Sequence, residues 1–310
     1  MTKTAHGQNT RIKLSSSDRV IHLIIALLII LFCITIIIPF WNMFVLAFND
    51  GGDTARGGVW IFPRKFTLEN FVEVFRDGDL LNGYRITLAR TFLGTTLSVF
   101  LLTMSGYVLT VRTLPGRGFF SMAIAFTMLF GGGLIPNYIQ YYNLGLINTL
   151  WIYIFPGCIG AWNLIMVRTF MDGIPASLSE SARLDGCNYW STYWRIILPL
   201  SKSVIAVMVL YAAVGHWNDW FSGAFYQRQK NMWPAQTVLQ QMLNRSMARE
   251  TLTVEELRDP TILAAKMNNV ITSDSLKMAA VVITMTPILC VYPFIQKYFA
   301  KGVMIGSVKG

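Results

Sequence analysis

Glu180-Ser-Ala-Arg-Leu-Asp-Gly186, followed by Ile196-Ile-Leu-Pro199, is polar, helix-forming and set between two long apolar runs, Leu150–Phe170 and Ser203–Tyr226. Hydrocarbon cannot satisfy charges or free backbone groups, so a hydrophilic helix between membrane spans lies at a membrane face. Ser177-Leu-Ser-Glu180 has the Ser-x-x-Glu form of a capping box, which predicts Ser177 as N-cap and Glu180 at the third helical position. Gly186 fits a left-handed C-terminal stop. The helix between them would hold about eight residues and measure ~12 Å. Such a helix, capped at both ends, is stiff enough to transmit a push. Leu178 and Ala182 share one face and suit an apolar cleft. Arg183 suits a carboxylate on a partner, or Glu180 one turn back. Pro199 ends this loop before the next run. The plainer alternative is an ordinary interfacial helix in which Glu180 and Gly186 serve only as caps.

Composition places the whole chain in a membrane. Of 310 residues, 54% are hydrophobic and 14% charged, against roughly 25% charged in globular chains. The net charge of +10 could suggest nucleic acid, but the basic residues flank apolar runs and form no patch on a soluble face. Cys33, Cys158, Cys187 and Cys290 show no metal-ligand spacing and read as small apolar thiols.

Val20–Phe40 holds one ionisable residue, His22, and is long enough to cross the hydrocarbon core. Its basic start resembles a signal peptide, but its length and the Pro39-Phe40-Trp41 end predict an uncleaved span. Further runs at about Phe92–Val111, Phe119–Gln140, Leu150–Phe170, Ser203–Tyr226 and Met278–Phe299 bring the expected total to six spans. The fold class is thus an all-α integral membrane protein with a single permease-like domain, 20–299, between segments 1–19 and 300–310. Residues 1–19, the 112–118 turn, the 171–202 loop and the tail share one face. With Arg168 included, that face carries thirteen Lys and Arg against four acids; the rest of the chain carries thirteen against twelve. The positive-inside rule therefore places both termini and the loop in the cytoplasm, in the plasma membrane.

Two long loops then face outward, about 49–84 and 227–277. In the first, Leu68, Phe71, Val72 and Phe75 recur at helical spacing after Thr67, a suitable cap. This reads as an amphipathic helix lying on lipid or packed on neighbouring spans. The second is long enough to predict internal helices, one near Pro234–Asn244. Trp217, Asn218, Asp219 and Trp220 occupy the outer half of the fifth run, and Asn163 lies in the fourth. An intramembrane acid costs about 2.5–3.5 kcal/mol on insertion scales, so such residues usually face a cavity or protein. They are candidates for lining a solute path; an aromatic belt with a helix–helix hydrogen bond is the alternative. Gly131–Gly133 and Pro136 interrupt the third run, either for close packing or to line a cavity.

The opening motif reads E-x-A, three residues, Gly, nine residues, I-x-L-P. It resembles the "EAA" loop of ABC-importer permeases, with Ser181 where Ala is usual. The resemblance extends through Gly131-Gly-Gly-Leu-Ile-Pro136, Asn143-Leu-Gly-Leu-Ile-Asn148, Arg168-Thr-Phe-Met-Asp-Gly-Ile-Pro175, Trp217-Asn-Asp-Trp-Phe221, Gln296–Gly302 and Gly306–Gly310. Residues 15–310 look like carbohydrate-importer permeases related to the second maltose-transporter permease, nearest the LplC/YtcP-like group. The resemblance implies a type I ABC-importer fold. It also implies a second permease as heterodimer partner, two ATPase subunits that hold ATP and Mg, an extracellular solute-binding protein, and a carbohydrate cargo. Glu180, Ser181, Ala182, Arg183, Asp185, Gly186, Ile196, Leu198 and Pro199 would couple to the ATPase, and Val308, Lys309 and Gly310 would reach between the ATPase subunits. By the same resemblance, loop 227–277 would include the segment that enters the binding protein's sugar cleft.

The chain has no Gly-x4-Gly-Lys-Ser/Thr phosphate loop, so ATP hydrolysis would fall to the partners. A stand-alone secondary transporter is the competing class. It would want paired ionisable residues in mid-span, and the sequence offers only Asp219 near a span end. An intramembrane enzyme would need a His/Cys/Asp constellation, which His22 and scattered cysteines do not make. Neither a metal nor a cofactor bound by this chain is expected.

Overall fold

The computed structural model describes residues 16–76, 78–250 and 273–307. Helices are the regular elements of these residues, apart from one isolated antiparallel bridge between Asn49 and Phe66. Helix α1, Ser16–Ala47, extends past the expected Val20–Phe40 at both ends and carries Pro39 inside it. Its mean hydropathy of 3.3 is the highest of the chain's candidate spans, yet its apolar window is unburied. Only its C-terminal end packs, through Val45 and Ala47. A helix that is apolar all round and unburied has lipid or another subunit as its solvent.

Beyond α1, the short α2 (Gly51–Ala55) and α3 (Glu69–Arg76) build the first loop. Thr67 caps α3 as expected, its Oγ1 accepting from the Glu69 N–H at 3.1 Å. The segment packs on its neighbours through part of its surface. Asn70 and Val74 are buried, and Asn70 Nδ2 donates to the Ala47 and Asn49 carbonyls, each at 2.9 Å. Leu68, Val72 and Phe75 stay exposed. The Trp41 indole at the end of α1 donates to the Ile61 carbonyl at 2.8 Å, tying down the exposed Trp60-Ile61-Phe62 strap.

Helix α4, Asp79–Thr110, is the central strut. It begins well before Phe92, where the second apolar run starts, and so brings Arg90 inside the helix. Its buried face is rich in small residues, including Gly83, Thr87, Gly94, Ser98 and Gly106. Small residues let helices approach closely. A Cβ at Gly83 would lie 2.9 Å from the Ala235 nitrogen, one at Gly106 would lie 2.7 Å from Val167, and one at Gly94 would collide with the His216 ring.

The remaining expected spans are broken helices. α5 (Arg117–Leu129) and α6 (Leu134–Asn143) flank a break at 130–133. A 3-10 turn at Leu150–Tyr153 and an irregular stretch precede α7 (Ala161–Asp172). α8 (Ala176–Leu184) leads to α9 (Tyr189–Leu200), which bends by 82° into α10 (Lys202–Asn218). After a break at Asp219 comes α11 (Phe221–Tyr226), then α12 (Ala235–Glu250) and α13 (Ser273–Ser307). By length and composition, three helices among the described residues can cross a membrane, or four if the α9–α10 pair counts as one. The other expected runs are divided into helices too short to meet that length alone. Gly131–Gly133 and Asp219 stand at breaks in the third and fifth of these runs.

At the 130–133 break, a Cβ on Gly131 or Gly133 would meet nothing within 4 Å, and Gly133 has φ +82°. Close packing within this chain therefore does not explain these glycines; a left-handed backbone turn explains Gly133. The helix expected near Pro234–Asn244 is α12, and α13 runs through the expected boundary at Phe299 to Ser307. Two cores lie toward the ends of α4. Leu102, Tyr107, Leu164, Val167, Tyr193, Ile197 and Met208 form one. Ala47, Val74, Leu80, Ala235, Val238 and Ala279 form the other.

Candidate functional site

The polar loop after α7 folds into a helix held from below and open above. α8 starts at Ala176 after Pro175, so Ser177 lies inside the helix and the capping box does not form. The extended Pro175 backbone (φ −55°, ψ 125°) launches the helix earlier than a Ser177 cap would, and the Leu178 N–H closes onto the Pro175 carbonyl at 3.2 Å. At the other end Gly186 has φ +84°. The Cys187 N–H donates to the Ala182 carbonyl at 2.9 Å and the Gly186 N–H to the Arg183 carbonyl at 3.1 Å. That pair of bonds is a Schellman stop, which the sequence places correctly.

Ala182 is the buried residue of α8, 6% exposed, so it seats in its own chain and not in a partner's cleft. Leu178 is 43% exposed, and Leu184, which the motif reading passed over, is 89% exposed. Glu180, Ser181, Arg183 and Asp185 are exposed beside it. Arg183 does not pair with Glu180. Its guanidinium lies over the Tyr189 ring, 5.0 Å from the centroid, and donates to the Tyr189 hydroxyl at 3.3 Å. Tyr189 in turn is 3.2 Å from the Thr113 hydroxyl at the end of α4. Glu180, Arg183, Tyr189, Arg112 and Thr113 line a cleft of about 270 Å³ beneath the helix.

The second half of the motif packs partly against its own chain. Tyr193–Ile197 form a π-turn inside α9. Pro199 lacks an N–H and its ring crowds the carbonyl four residues back, which a wider turn accommodates. Ile197 is 4% exposed and Leu198 packs beside it, while Ile196 is half-buried and Pro199 exposed. The Tyr193 hydroxyl meets Thr103 of α4 at 2.9 Å. Asp172, at the end of α7, bridges Arg168 at 3.4 Å and Arg117 at 3.5 Å. The exposed helix therefore packs on α9, which is itself tied to α4.

The second candidate segment divides. Trp217 is buried, and its indole donates to the Thr284 carbonyl of α13 at 3.2 Å. It is a helix–helix strut, so its place as a path-lining candidate is withdrawn. Asn218 and Trp220 are exposed and Asp219 is half-buried. Asp219 sits at the break, where its Oδ1 accepts from the Ser222 N–H at 3.0 Å. Its Oδ2 is 3.3 Å from Arg90, which is wholly buried. Asn163 is half-buried and has no hydrogen bond to this segment among the described residues. Sequence reading missed Arg90 because it treated a charge as the edge of a span. The available signal was the small-residue pattern on one face of α4, which continues through Gly83 and Thr87 before Phe92. Val308, Lys309 and Gly310 lie outside the described residues, as do residues 251–272 of the second outer loop.

The site is thus an exposed polar helix seated on an apolar helical body. Residues 9–305 match the family "Binding-protein-dependent transport system inner membrane component", and the chain belongs to it. The protein LplC of Bacillus subtilis is 38% identical over 274 residues, 88% of this chain and 90% of that one. The polygalacturonan/rhamnogalacturonan transport system permease protein YtcP of the same organism is 33% identical over 295 residues, 94% and 99% of the two chains. A crystal structure of a bacterial ABC transporter involved in import of the acidic polysaccharide alginate superposes with a TM-score of 0.82 at 27% identity. The match covers 92% of this chain and 99% of that one. The chain is a multi-pass membrane permease subunit of an ABC importer of the carbohydrate class.

Proposed function

We propose that this permease imports oligosaccharides as one of two unlike membrane subunits, each engaging an ATPase through a coupling helix. The carrying observation is α8, anchored by Ala182 and stopped by Gly186, which turns Leu184 and its charged neighbours away from its own chain. Leu184 and Leu178 are the apolar contacts for an ATPase groove, and Glu180 and Asp185 are the polar rim. ATP and Mg belong to that partner. Six crossings with both termini in the cytoplasm put α8 on the ATPase side, and the basic excess around it supports that orientation. An extracellular solute-binding protein delivers the cargo to the opposite face. Asn218, Asp219, Trp220 and Asn163 are the path-lining residues of this chain.

Two relatives support a narrower cargo class. YtcP carries polygalacturonan and rhamnogalacturonan in its name, and the superposed importer handles alginate. Both are acidic polymers, so short uronate oligosaccharides come first among candidates. The test is reconstitution with partner permease, ATPase and binding protein, scoring uptake of oligogalacturonates, alginate oligomers, maltotriose and glucose. The expected result is ATP-dependent uptake, highest for an acidic oligomer. Leu184→Asp should leave the fold intact and abolish ATPase binding. Gly186→Asp should insert normally and uncouple, with a larger loss of uptake than deletion of Val308–Gly310. Native ATPase binding by Leu184→Asp would refute the docking face.

One observation favours a second reading. The Arg90–Asp219 pair supplies the paired charges that an ion-coupled secondary transporter would want. Sugar accumulation by this chain alone, driven by an ion gradient in the absence of any ATPase, would establish that reading.

A further inference from the structure

Arg90 is 0% exposed on a helix that the chain uses as a membrane strut. A buried cation is costly unless paired and hydrogen-bonded. Its partners come from two distant parts of the chain. One terminal nitrogen faces the Asp219 carboxylate at 3.3 Å, and the other donates to the Asp219 backbone carbonyl. The guanidinium also lies over the Tyr153 ring, 5.1 Å from its centroid. Arg90 and Asp219 are 129 residues apart in sequence.

Two details separate this from an ordinary helix–helix ion pair. First, the arginine grips the backbone as well as the side chain at the point where α10 ends and the chain turns extended, with ψ 103° at Asp219. The same carboxylate starts α11 through the Ser222 N–H. Arg90 thereby fixes both sides of the break. Second, the surroundings hold spare polar capacity. Arg90 Nε, Thr91 Oγ1 and Thr95 Oγ1 are buried with no hydrogen-bond partner among the described residues. Buried polar groups are nearly always satisfied, so such orphans call for a reason. The free Arg90 Nε–H, on the side chain that grips the break, leaves the arginine a bond to make in a second arrangement when the break moves.

We propose that Arg90 is a positioning residue for transport: by holding Asp219 it sets the break in the fifth span from which Asn218 and Trp220 project, and so determines how cargo passes. This rests on reading that segment as path lining. The experiment measures sugar moved per ATP hydrolysed, normalised to assembled complex in vesicles. Its probe is the oligosaccharide with the highest uptake in the panel above. Arg90→Met with Asp219→Leu removes both charges together, which buried pairs often tolerate. We expect this neutral pair to assemble while its ratio falls about tenfold, within the usual range of coupling energies. Arg90→Lys keeps the cation but cannot grip carboxylate and carbonyl together, and should show a smaller fall. A native ratio in the neutral pair would overturn the inference. Should the neutral pair fail to assemble, a native ratio in Arg90→Lys would overturn it equally. Asn218→Ala with Trp220→Ala separates the two claims. An unchanged ratio there removes the path reading and this inference with it. A fall there, with a native ratio in the neutral pair, removes only the role of Arg90.

Discussion

The chain handles charge in opposite ways at its two polar places. At α8 the charges stand in solvent on a helix written in consecutive residues, and the fold spends its effort on stiffness: one buried alanine, one left-handed glycine and a cleft braced by Tyr189. At the Asp219 break a wholly buried arginine is matched, across 129 residues, to a half-buried carboxylate. The first arrangement suits contact with another protein, because exposed charges are inexpensive and available. The second suits control of the chain's own shape, because a buried charge tolerates very few arrangements of its surroundings. Substitutions at the two places should therefore fail differently. The first should lose partners without losing the fold, and the second should lose the fold or the transport cycle.

The largest effect sharpens that difference. Asp219→Leu strands a wholly buried guanidinium, whereas Arg90→Met strands a carboxylate whose side chain is 31% exposed and can be hydrated. Removing one partner of a buried pair costs about 3–5 kcal/mol. Asp219→Leu should reach that range and Arg90→Met should fall below it. Thermal melting of the detergent-solubilised complex checks the ranking, and equal losses would mean that water already reaches Arg90.

Next comes the packing that holds the pair in register. A Cβ at Gly83 would meet the backbone of Ala235 at 2.9–3.0 Å, at the contact where the Ala235 N–H donates to Thr87 Oγ1. Backbone cannot move aside as a flexible side chain can, so Gly83→Ala should cost ~1–3 kcal/mol. The same melting assay reads it. A neutral outcome would show that α12 is free to slide on α4, and that the break is less firmly held than the ion pair implies.

At α8, Gly186→Ala has open space, with no heavy atom within 4 Å of the added methyl, so its cost is conformational alone. A non-glycine residue in the left-handed region loses about 1–2 kcal/mol. Gly186→Asn should lose less, since asparagine tolerates that region. ATPase co-purification should fall in the same order, and equal binding by both variants would detach the stop from the docking role.

The contrast also explains what could be read in advance. The Gly186 stop, the Thr67 cap, the α12 helix and the unbroken first span each follow from residues within one or two turns of one another. Those were legible. Arg90 was not, because its cost in a membrane is cancelled by a residue elsewhere in the chain, and hydropathy windows read only neighbours. The inward face of Ala182 was missed for a related reason. Periodicity pairs it with Leu178, but which side of an amphipathic helix meets its own chain is settled by α4 and α9, not by the helix. The broken third and fifth spans show the same limit, since glycine and Pro199 announce a local irregularity but not how far the axis turns.

The smallest effect tests a place between the two extremes. Asp53, in the first loop, accepts from Asn49 Nδ2 at 3.0 Å and pairs with Arg64 at 3.0 Å; Asp53 is nearly buried while Arg64 is half exposed. The Asn49 hydrogen bond, followed by the Arg64 bond and charge, holds the Asp53 carboxyl below the usual carboxylate range despite burial. A group whose folded pKa is depressed stabilises the fold above its unfolded value, near 3.9, and that contribution is lost as pH falls through the lower folded value. Because Arg64 is solvated, the effect should stay below ~1 kcal/mol. Backbone amide exchange in residues 49–66 should therefore quicken as pH drops below about 4, after correction for intrinsic exchange, and Asp53→Asn should flatten that dependence. A wild-type profile as flat as the variant's would mean that partial burial leaves this pair as inconsequential as a surface one. The step from solvated to controlling charge would then occur only at full burial, as at Arg90.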